Sequence, residues 1–585
     1  MERIRIGFLI LTILLTASCY RASDEQESGP GEIGGSGELF RVPRNPPVLD
    51  VATAEEVNVC DFGAIPNDDG NDWEAIQQAF DYVQRKEGNV RLVFTPGKYR
   101  IEPTTASNRT HCFSLSGAQN FVVDFRLAEL VICDPTIGLL NLKNCRHGVV
   151  CHAVVDYDPL PFTQGTIVSP NGGEGYLIYR INEDFPELDA EHLLQAPTCW
   201  ATVKDPSDPR MLKPRARNLI PFREIGGKRW EKLSDGTYRI NVVPNYYALQ
   251  AGDPMVVIGR YNGRPTFTVA DCERVTFDGN TLYAGPAGGH GISRSPEVAI
   301  INTRIQYREG RLLSQNADCV HANASKIGPW IESCVFEGQC DDAVNLKTQM
   351  LKILQAVSAD TYLLSDEPQL ADVLWLFNPR DGELLGQARV LSVVSALGGC
   401  LVKLDKSFSS LRVGETADCD MFFNDYCSNE SFVIRNNIFR NSRRYGLLIQ
   451  ATHGKIENNE FSGLSSSGIV MQNNAGWPEG FVPYQVAVSG NLIHDCGFEY
   501  TYVEEALSPI VIRTNTYIEQ TTAGYQPPKW KGVRDIVIDN NIVRTNSEFG
   551  VSVSNAAGLR FANNRIECAG TEPFAIERCE DVVIE

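Results

Sequence analysis

Apolar and polar residues alternate through most of this chain in short runs, and several runs end on the same signature. Phe432-Val-Ile-Arg-Asn-Asn-Ile-Phe439, Lys455-Ile-Glu-Asn-Asn-Glu-Phe461, Val486-Ala-Val-Ser-Gly-Asn-Leu-Ile493, Ile536-Val-Ile-Asp-Asn-Asn-Ile-Val543 and Leu559-Arg-Phe-Ala-Asn-Asn-Arg-Ile566 are copies of one pattern. Upstream, Val275–Leu282 and Val298–Ile305 read the same way. Asn437 to Asn459 is 22 residues, Asn541 to Asn564 is 23 and Asn280 to Asn302 is 22. A period in the low twenties built from short strands is a solenoid signature. The leucine framework of a leucine-rich repeat is missing. Strands bounded by Asn and Gly predict an all-β protein, a right-handed parallel β-helix solenoid whose stacked Asn side chains carry a hydrogen-bond ladder. Coils then lie about 4.8 Å apart, so residues one period apart become neighbours.

Two stretches break the period. Residues 165–263 and 351–419 show turn-separated strands without the Asn pattern, and are expected to be two β-rich, barrel-like insertions walling one side of the solenoid. The remaining divisions follow: 51–164 as N-terminal cap and first coils, 264–350 as the coils that carry the acids, 420–585 as the C-terminal coils. Within the cap, Asp72–Phe80 reads as an amphipathic helix that plugs the open end.

The first residues have a different character. Arg3 and Arg5 precede an apolar run from Ile6 to Leu15 and then Thr16-Ala17-Ser18-Cys19. This is the order of a secretory signal, assigned to 1–19. Small residues before Cys19 predict a lipidated cysteine, with residues 20–50 as a tether. The expected location is the periplasm or cell surface, with the membrane reached only through the lipid. The formal charge of −20 argues against a nucleic-acid partner, whose phosphates require a basic surface, and mildly against polyanionic glycans. Sixteen further cysteines are scattered without CxxC pairs, so no zinc finger is expected. Their plain reading is small buried residues. An exposed solenoid flank leaves room for self-association.

Chemistry concentrates in Ser314-Gln-Asn-Ala-Asp-Cys-Val-His321 and Gly338-Gln-Cys-Asp-Asp-Ala-Val-Asn345. Asp318 and Asp341 are 23 residues apart, one period, which stacks Asp318 against the Asp341-Asp342 pair. Such a cluster raises at least one carboxyl pKa and suits an acid working with a base. Glycoside hydrolysis wants this arrangement. If a water must fit beside the sugar, the two carboxyls sit about 6.5–9.5 Å apart and the anomeric centre inverts.

These motifs are similar to the aspartate motifs of polygalacturonase-type β-helix hydrolases, and the opening Cys60–Ala64, Asp72–Phe80 and Val93–Tyr99 resembles that of pectate-lyase-like proteins. The chain more closely resembles glycoside hydrolase family 110, inverting exo-α-1,3-galactosidases. Asp156–Gly165, Gly288–Ile292, Gln315–His321, Phe336–Asn345 and Trp477–Gly480 carry that likeness. The Gly-His-Gly after the paired aspartates and the Arg-Ile-Lys of polygalacturonases are missing. The resemblance implies that Asp341 and Asp342 hold and activate water, with Asp318 as the third carboxyl, and that neither metal nor organic cofactor is needed. It departs at Asn345-Leu-Lys-Thr348, which brings Lys347 near the site and could admit a sulfated or acidic substituent, and at Pro478.

Around the acids, Trp477 is read as a sugar-stacking platform rather than a core residue. Glu479 is a hydroxyl acceptor or a loop cap. Arg444 and Gln450 lie in the following coils as ligand contacts, although paired arginines are commonly solvated. His321 is expected to hydrogen-bond the acids, and His290 to face the substrate. The function so read is removal of terminal α-1,3-linked galactose from a glycan by acid–base inversion. The alternatives are a β-helix polysaccharide lyase, with the three aspartates as calcium ligands, a polygalacturonase-like hydrolase, or a non-catalytic glycan-binding solenoid.

Overall fold

The computed structural model describes residues 39–585 apart from 105–108, 245–246, 478, 500–506 and 519–523. The signal assigned to 1–19, with Cys19, lies outside the described residues. Among those described, no helix is long and apolar enough to cross a membrane.

The chain winds as a right-handed parallel β-helix. Three long sheets of thirteen, twelve and eleven strands run along it. Every neighbouring pair in them is parallel, except that Glu479–Gly480 pairs antiparallel with Val344–Gln349. Alternation along each strand sends one side chain inward and the next outward. The inward ones form one continuous core from Val59 to Phe561. Phe336, Phe439 and Phe461 stack there with ring centroids 5.3 and 4.8 Å apart.

The Asn ladder is built as expected over the C-terminal coils. Asn459, Asn491, Asn541 and Asn564 each accept from the backbone N–H and side-chain amide of the preceding Asn, at 2.9–3.0 Å, and Asn437 begins the ladder by accepting the Cys334 N–H at 2.9 Å. Asn302 is not part of it. Strand pairing sets Asp278 beside Ile301, so Thr303 occupies the position of Asn280 and Asn302 falls one residue short. Its positive φ of 50° suits a turn, where Asn is tolerated.

The helix Trp73–Arg85 caps the N-terminal end by burying Trp73, Ile76, Ala79, Phe80 and Val83, one face at helical spacing. Phe80 stacks on Phe113 at 4.8 Å. Both insertions are antiparallel. The first is a seven-stranded sheet running from Phe162–Ser169 to Pro254–Arg260, with its own core. The second closes into a six-stranded barrel between Leu351 and Asn424. Its last strand, Met421–Asn424, extends past the expected boundary at 419 because Phe422 completes the barrel core.

Residues 39–50 are not the free tether expected. Phe40 packs on Ala299, Ile301, Trp330 and Val433. Arg41 pairs with Asp425 and Glu430, at 3.1 and 3.0 Å. Arg44 donates to the Gly328 carbonyl at 2.8 Å, and Val51 packs on Val122 and Val149. The Pro-rich composition disguises a strap, because only a few of its side chains make the attachment.

Candidate active site

The acids sit where strands of one sheet begin. Asp318 precedes Val320–Asn323, Asp341 and Asp342 precede Val344–Gln349, and Arg443 and Arg444 precede Leu447–Ile449. The pairing of Val320 with Val344 and of Val344 with Leu447 fixes what stacks on what. Asp342, not Asp341, lies in register with Asp318, and Arg444 is in register with Asp341. This coil is one residue longer than the spacing of 23 implied. The three carboxylates nevertheless converge, with one oxygen of each within 4.8 Å of the others. That is tighter between nearest oxygens than the separation expected for an inverting pair. Close approach of the coil below depends on Gly288, where a Cβ would meet the Asp318 carbonyl at 2.3 Å.

Each acid has a different environment. Asp341 Oδ2 receives Arg260 Nη1 at 2.6 Å, and its Oδ1 lies 3.2 and 3.3 Å from Arg443 and Arg444 Nη1. Burial pushes its carboxyl up, but the Arg443, Arg260 and Arg444 guanidiniums outweigh this and hold it well below the usual carboxylate range. Asp342 has no exposed surface. Burial raises its carboxyl well above the ordinary value, and Arg444 offsets only part of that while Asp341 and Asp318 add to it. The surroundings therefore favour the proton at Asp342 and the negative charge at Asp341. Asp318 Oδ1 accepts the Asp342 backbone N–H at 3.1 Å, and its Oδ2 lies 2.6 Å from His321 Nδ1.

Two of these arginines owe their position to the first insertion. Arg260 is the last residue of its strand Pro254–Arg260. Arg443 is 2% exposed, donates to the Cys340 carbonyl at 2.6 Å, and packs its guanidinium over Trp200 at 4.7 Å. Asn316 ties the acid-bearing turn to the same insertion, donating to the Pro161 and Gly259 carbonyls at 2.9 Å. Arg260 and Trp200 were not among the residues expected here. Nothing in the repeat announces them, because the insertion lies outside it. Arg443 could have been found, since Arg443-Arg444 stands at the same offset from its strand as Cys340-Asp341 does.

The remaining expected residues divide. Asn345 donates to Asp342 Oδ2 at 3.4 Å. Lys347 is ion-paired with Glu479, so its charge is already countered. Gln450, in register with Lys347 on the next coil, is fully buried. Both of its amide atoms, Asn345 Oδ1 and Asp342 Oδ1 are buried without a hydrogen-bond partner in the protein. Such groups cost about 1–3 kcal/mol each unless a ligand or water satisfies them. Trp477 stands 67% exposed on the turn that leads to Glu479. His290 does not face the site. Its ring packs between Phe267 and Phe277 at 5.2 and 4.9 Å in the solenoid core, where burial pushes the imidazole down to about 3. The glycine-rich turn around it serves close coil packing instead.

A family comparison agrees with this architecture over the C-terminal coils. A family profile described as "Right handed beta helix region" matches residues 425–583. The Alpha-1,3-galactosidase A of Bacteroides fragilis (strain YCH46) is 23% identical over 91% of this chain and 92% of its own length. The Alpha-1,3-galactosidase B of Akkermansia muciniphila is also 23% identical, over 61% of this chain, and the match spans less than half, 46%, of that relative. Among solved structures, a Yersinia enterocolitica family 28 exopolygalacturonase aligns over 90% of this chain and 78% of its own, with 13% identity and a TM-score of 0.41.

Proposed function

We propose that this protein is a glycoside hydrolase that removes terminal α-1,3-linked galactose from a glycan, as an inverting family 110 enzyme would. The observation that carries the reading is the unequal trio. Three carboxyls converge, and their surroundings favour a proton on one and a charge on another, the division acid–base cleavage of a glycosidic bond requires. The named galactosidases that match along the chain support the sugar and the linkage.

In this mechanism the Asp342 proton passes to the glycosidic oxygen as the bond to the anomeric carbon breaks. Its Oδ1, which has no partner in the protein, is the atom that faces this step. A water attacks the same carbon and gives its proton to Asp318, which His321 steadies. Asp341, clamped by three guanidiniums, stays ionised and holds Arg444 against Asp342. Asn345 and Gln450 supply hydrogen bonds to sugar hydroxyls, and Trp477 offers a face for the leaving part of the glycan. The same guanidiniums disfavour the lyase alternative, because the charge that calcium would need from Asp341 is already countered. Export through residues 1–19, with lipidation at Cys19, belongs to this proposal and agrees with a glycan substrate outside the cell.

The test is release of galactose from a panel of α-1,3-galactosides, linear and blood-group-B-type, followed by proton NMR from the first turnover. β-Galactose appearing first is the expected result. α-Galactose first would replace inversion by double displacement, for which closely spaced carboxyls are the usual arrangement. No galactose from any member of the panel would overturn the reading.

A further inference from the structure

Far from the trio, on the outer face of the thirteen-stranded sheet, three different metal-binding side chains meet. Asp124 ends the strand Gln119–Asp124, and Cys151, in register with it, ends the strand Arg146–Cys151. His152 follows in a turn with a φ of 60°, and this folds its ring back toward the previous coil. Its Nδ1 lies 2.9 Å from Asp124 Oδ1. One ligand atom from each of Asp124, Cys151 and His152 lies within 4.8 Å of the others. On the other side, Asp278 is in register with Cys151. Parallel stacking therefore places carboxylate, thiol and carboxylate on three successive strands, with an imidazole folded over them.

The imidazole is seated by the backbone. A Cβ on Gly279 would meet His152 Cδ2 at 3.0 Å, so the glycine next to Asp278 makes the hollow in which the ring lies. Asp124 Oδ1 also accepts the Arg126 N–H at 3.0 Å, while its Oδ2 is 3.8 Å from Arg91. Arg91 has a nearer partner in Asp50, so Oδ2 remains available. Asp278 Oδ1 accepts from Asn302 Nδ2 at 2.8 Å, which orients the carboxylate. Cys151 is 5% exposed, and burial beside Asp124 and Asp278 keeps its thiol protonated, a cost that a bound dication reverses.

We propose that Asp124, Cys151 and His152 form a zinc site that pins two neighbouring coils of the N-terminal solenoid together, with Asp278 in register beside it on the next. The donor set of one sulfur, one ring nitrogen and carboxylate oxygens suits Zn²⁺ rather than calcium or magnesium, which take oxygen ligands. Binding is an exchange without redox change. The metal displaces the Cys151 proton, which goes to solvent, and takes the place of the hydrogen between His152 Nδ1 and Asp124, the imidazole then carrying its single ring proton on Nε2. Val51 of the strap packs on Val122, Val149 and Cys151, so the site also secures the strap's end.

The experiment is titration of the chelator-stripped full-length protein with Co²⁺ as an optical stand-in for Zn²⁺. A near-ultraviolet thiolate-to-cobalt band that saturates at one equivalent is expected, bleached by added Zn²⁺ and missing from Cys151→Ser. His152→Gln should weaken binding by at least about 100-fold. Zn²⁺ should raise the melting temperature of the wild type and not that of Cys151→Ser, and matching metal-free melting temperatures would show that the variant folds. Cobalt held by the three active-site aspartates would give no thiolate band, so the two clusters are distinguished. A wild type with no saturable band, or a band that persists in Cys151→Ser, would overturn the proposal, and neither result depends on hydrolase activity.

Discussion

The Asn ladder and the aspartate trio are built on the same stacking and reach opposite electrostatic outcomes. An amide side chain is both donor and acceptor. A column of identical Asn residues therefore satisfies itself, each Oδ1 taking bonds from the Asn before it. A carboxylate only accepts, so a column of Asp repels itself and must import its positive partners. Here they come from outside the repeat, Arg260 from the first insertion, or from the next coil with outside help, Arg443 over Trp200. A self-complementary column supports a fold, whereas a frustrated one stores a proton and a charge side by side.

The largest effect expected from breaking this contrast is at Asp342. Replacement by Asn keeps its shape and removes its proton, and kcat on an α-1,3-galactoside should fall by about 10³-fold or more, with circular dichroism and elution volume unchanged. Asp341→Asn should abolish turnover too, but it strands three guanidiniums and should also lower stability by about 3–5 kcal/mol in urea unfolding. On the ladder, Asn491→Ala removes the acceptor shared by the Asn459 N–H and side-chain amide and one of the two donors to Asn541 Oδ1. A loss of about 2–4 kcal/mol is expected, with KM and kcat of the folded enzyme unchanged.

Smaller effects concern pH. The folded protein holds a proton on Asp342 that the unfolded chain releases near its ordinary value of about 3.9. Stability is therefore lost as pH rises from that value through the raised one. Asp341 acts in the opposite sense, contributing stability above about 3.9 that is lost as pH falls toward its depressed value. Asp342→Asn should accordingly flatten the alkaline side of a melting-temperature profile and melt above the wild type at pH 8. Arg260→Gln removes one of three clamps on Asp341, and the acid limb of the pH–rate profile should move up by about one unit. Least of all, Trp477→Ala should raise KM a few-fold with kcat retained, since an exposed ring contributes stacking alone.

The legible parts of this molecule are those the repeat repeats. The Asn ladder, the capping helix at Asp72–Phe80 and the two interruptions could be read because each is a local pattern. Register was legible only to within a residue. Coils of 22 to 24 residues are all accommodated, so Asn302 reads as a ladder member when Thr303 holds that place, and Asp341 reads as the partner of Asp318 when Asp342 is. The paired aspartates hid the slip, because either choice brings the same three acids together. His290 was misjudged for a related reason. A histidine between glycines resembles a site residue, but alternation on its strand turns it inward against Phe267 and Phe277. Arg260 was beyond reach because its approach to Asp341 depends on how a whole seven-stranded sheet docks.

The strap has a mechanical meaning. A solenoid bound mainly through neighbouring turns is soft toward fraying, since each turn can peel from the next with little regard for those beyond. A segment tied at Tyr484 and Asp425 on late turns, at Trp330 midway, and at Arg91 near the beginning works as a guy-wire. Opening any junction beneath it lengthens a path that the wire keeps short, and the turns bearing the three acids lie within its span.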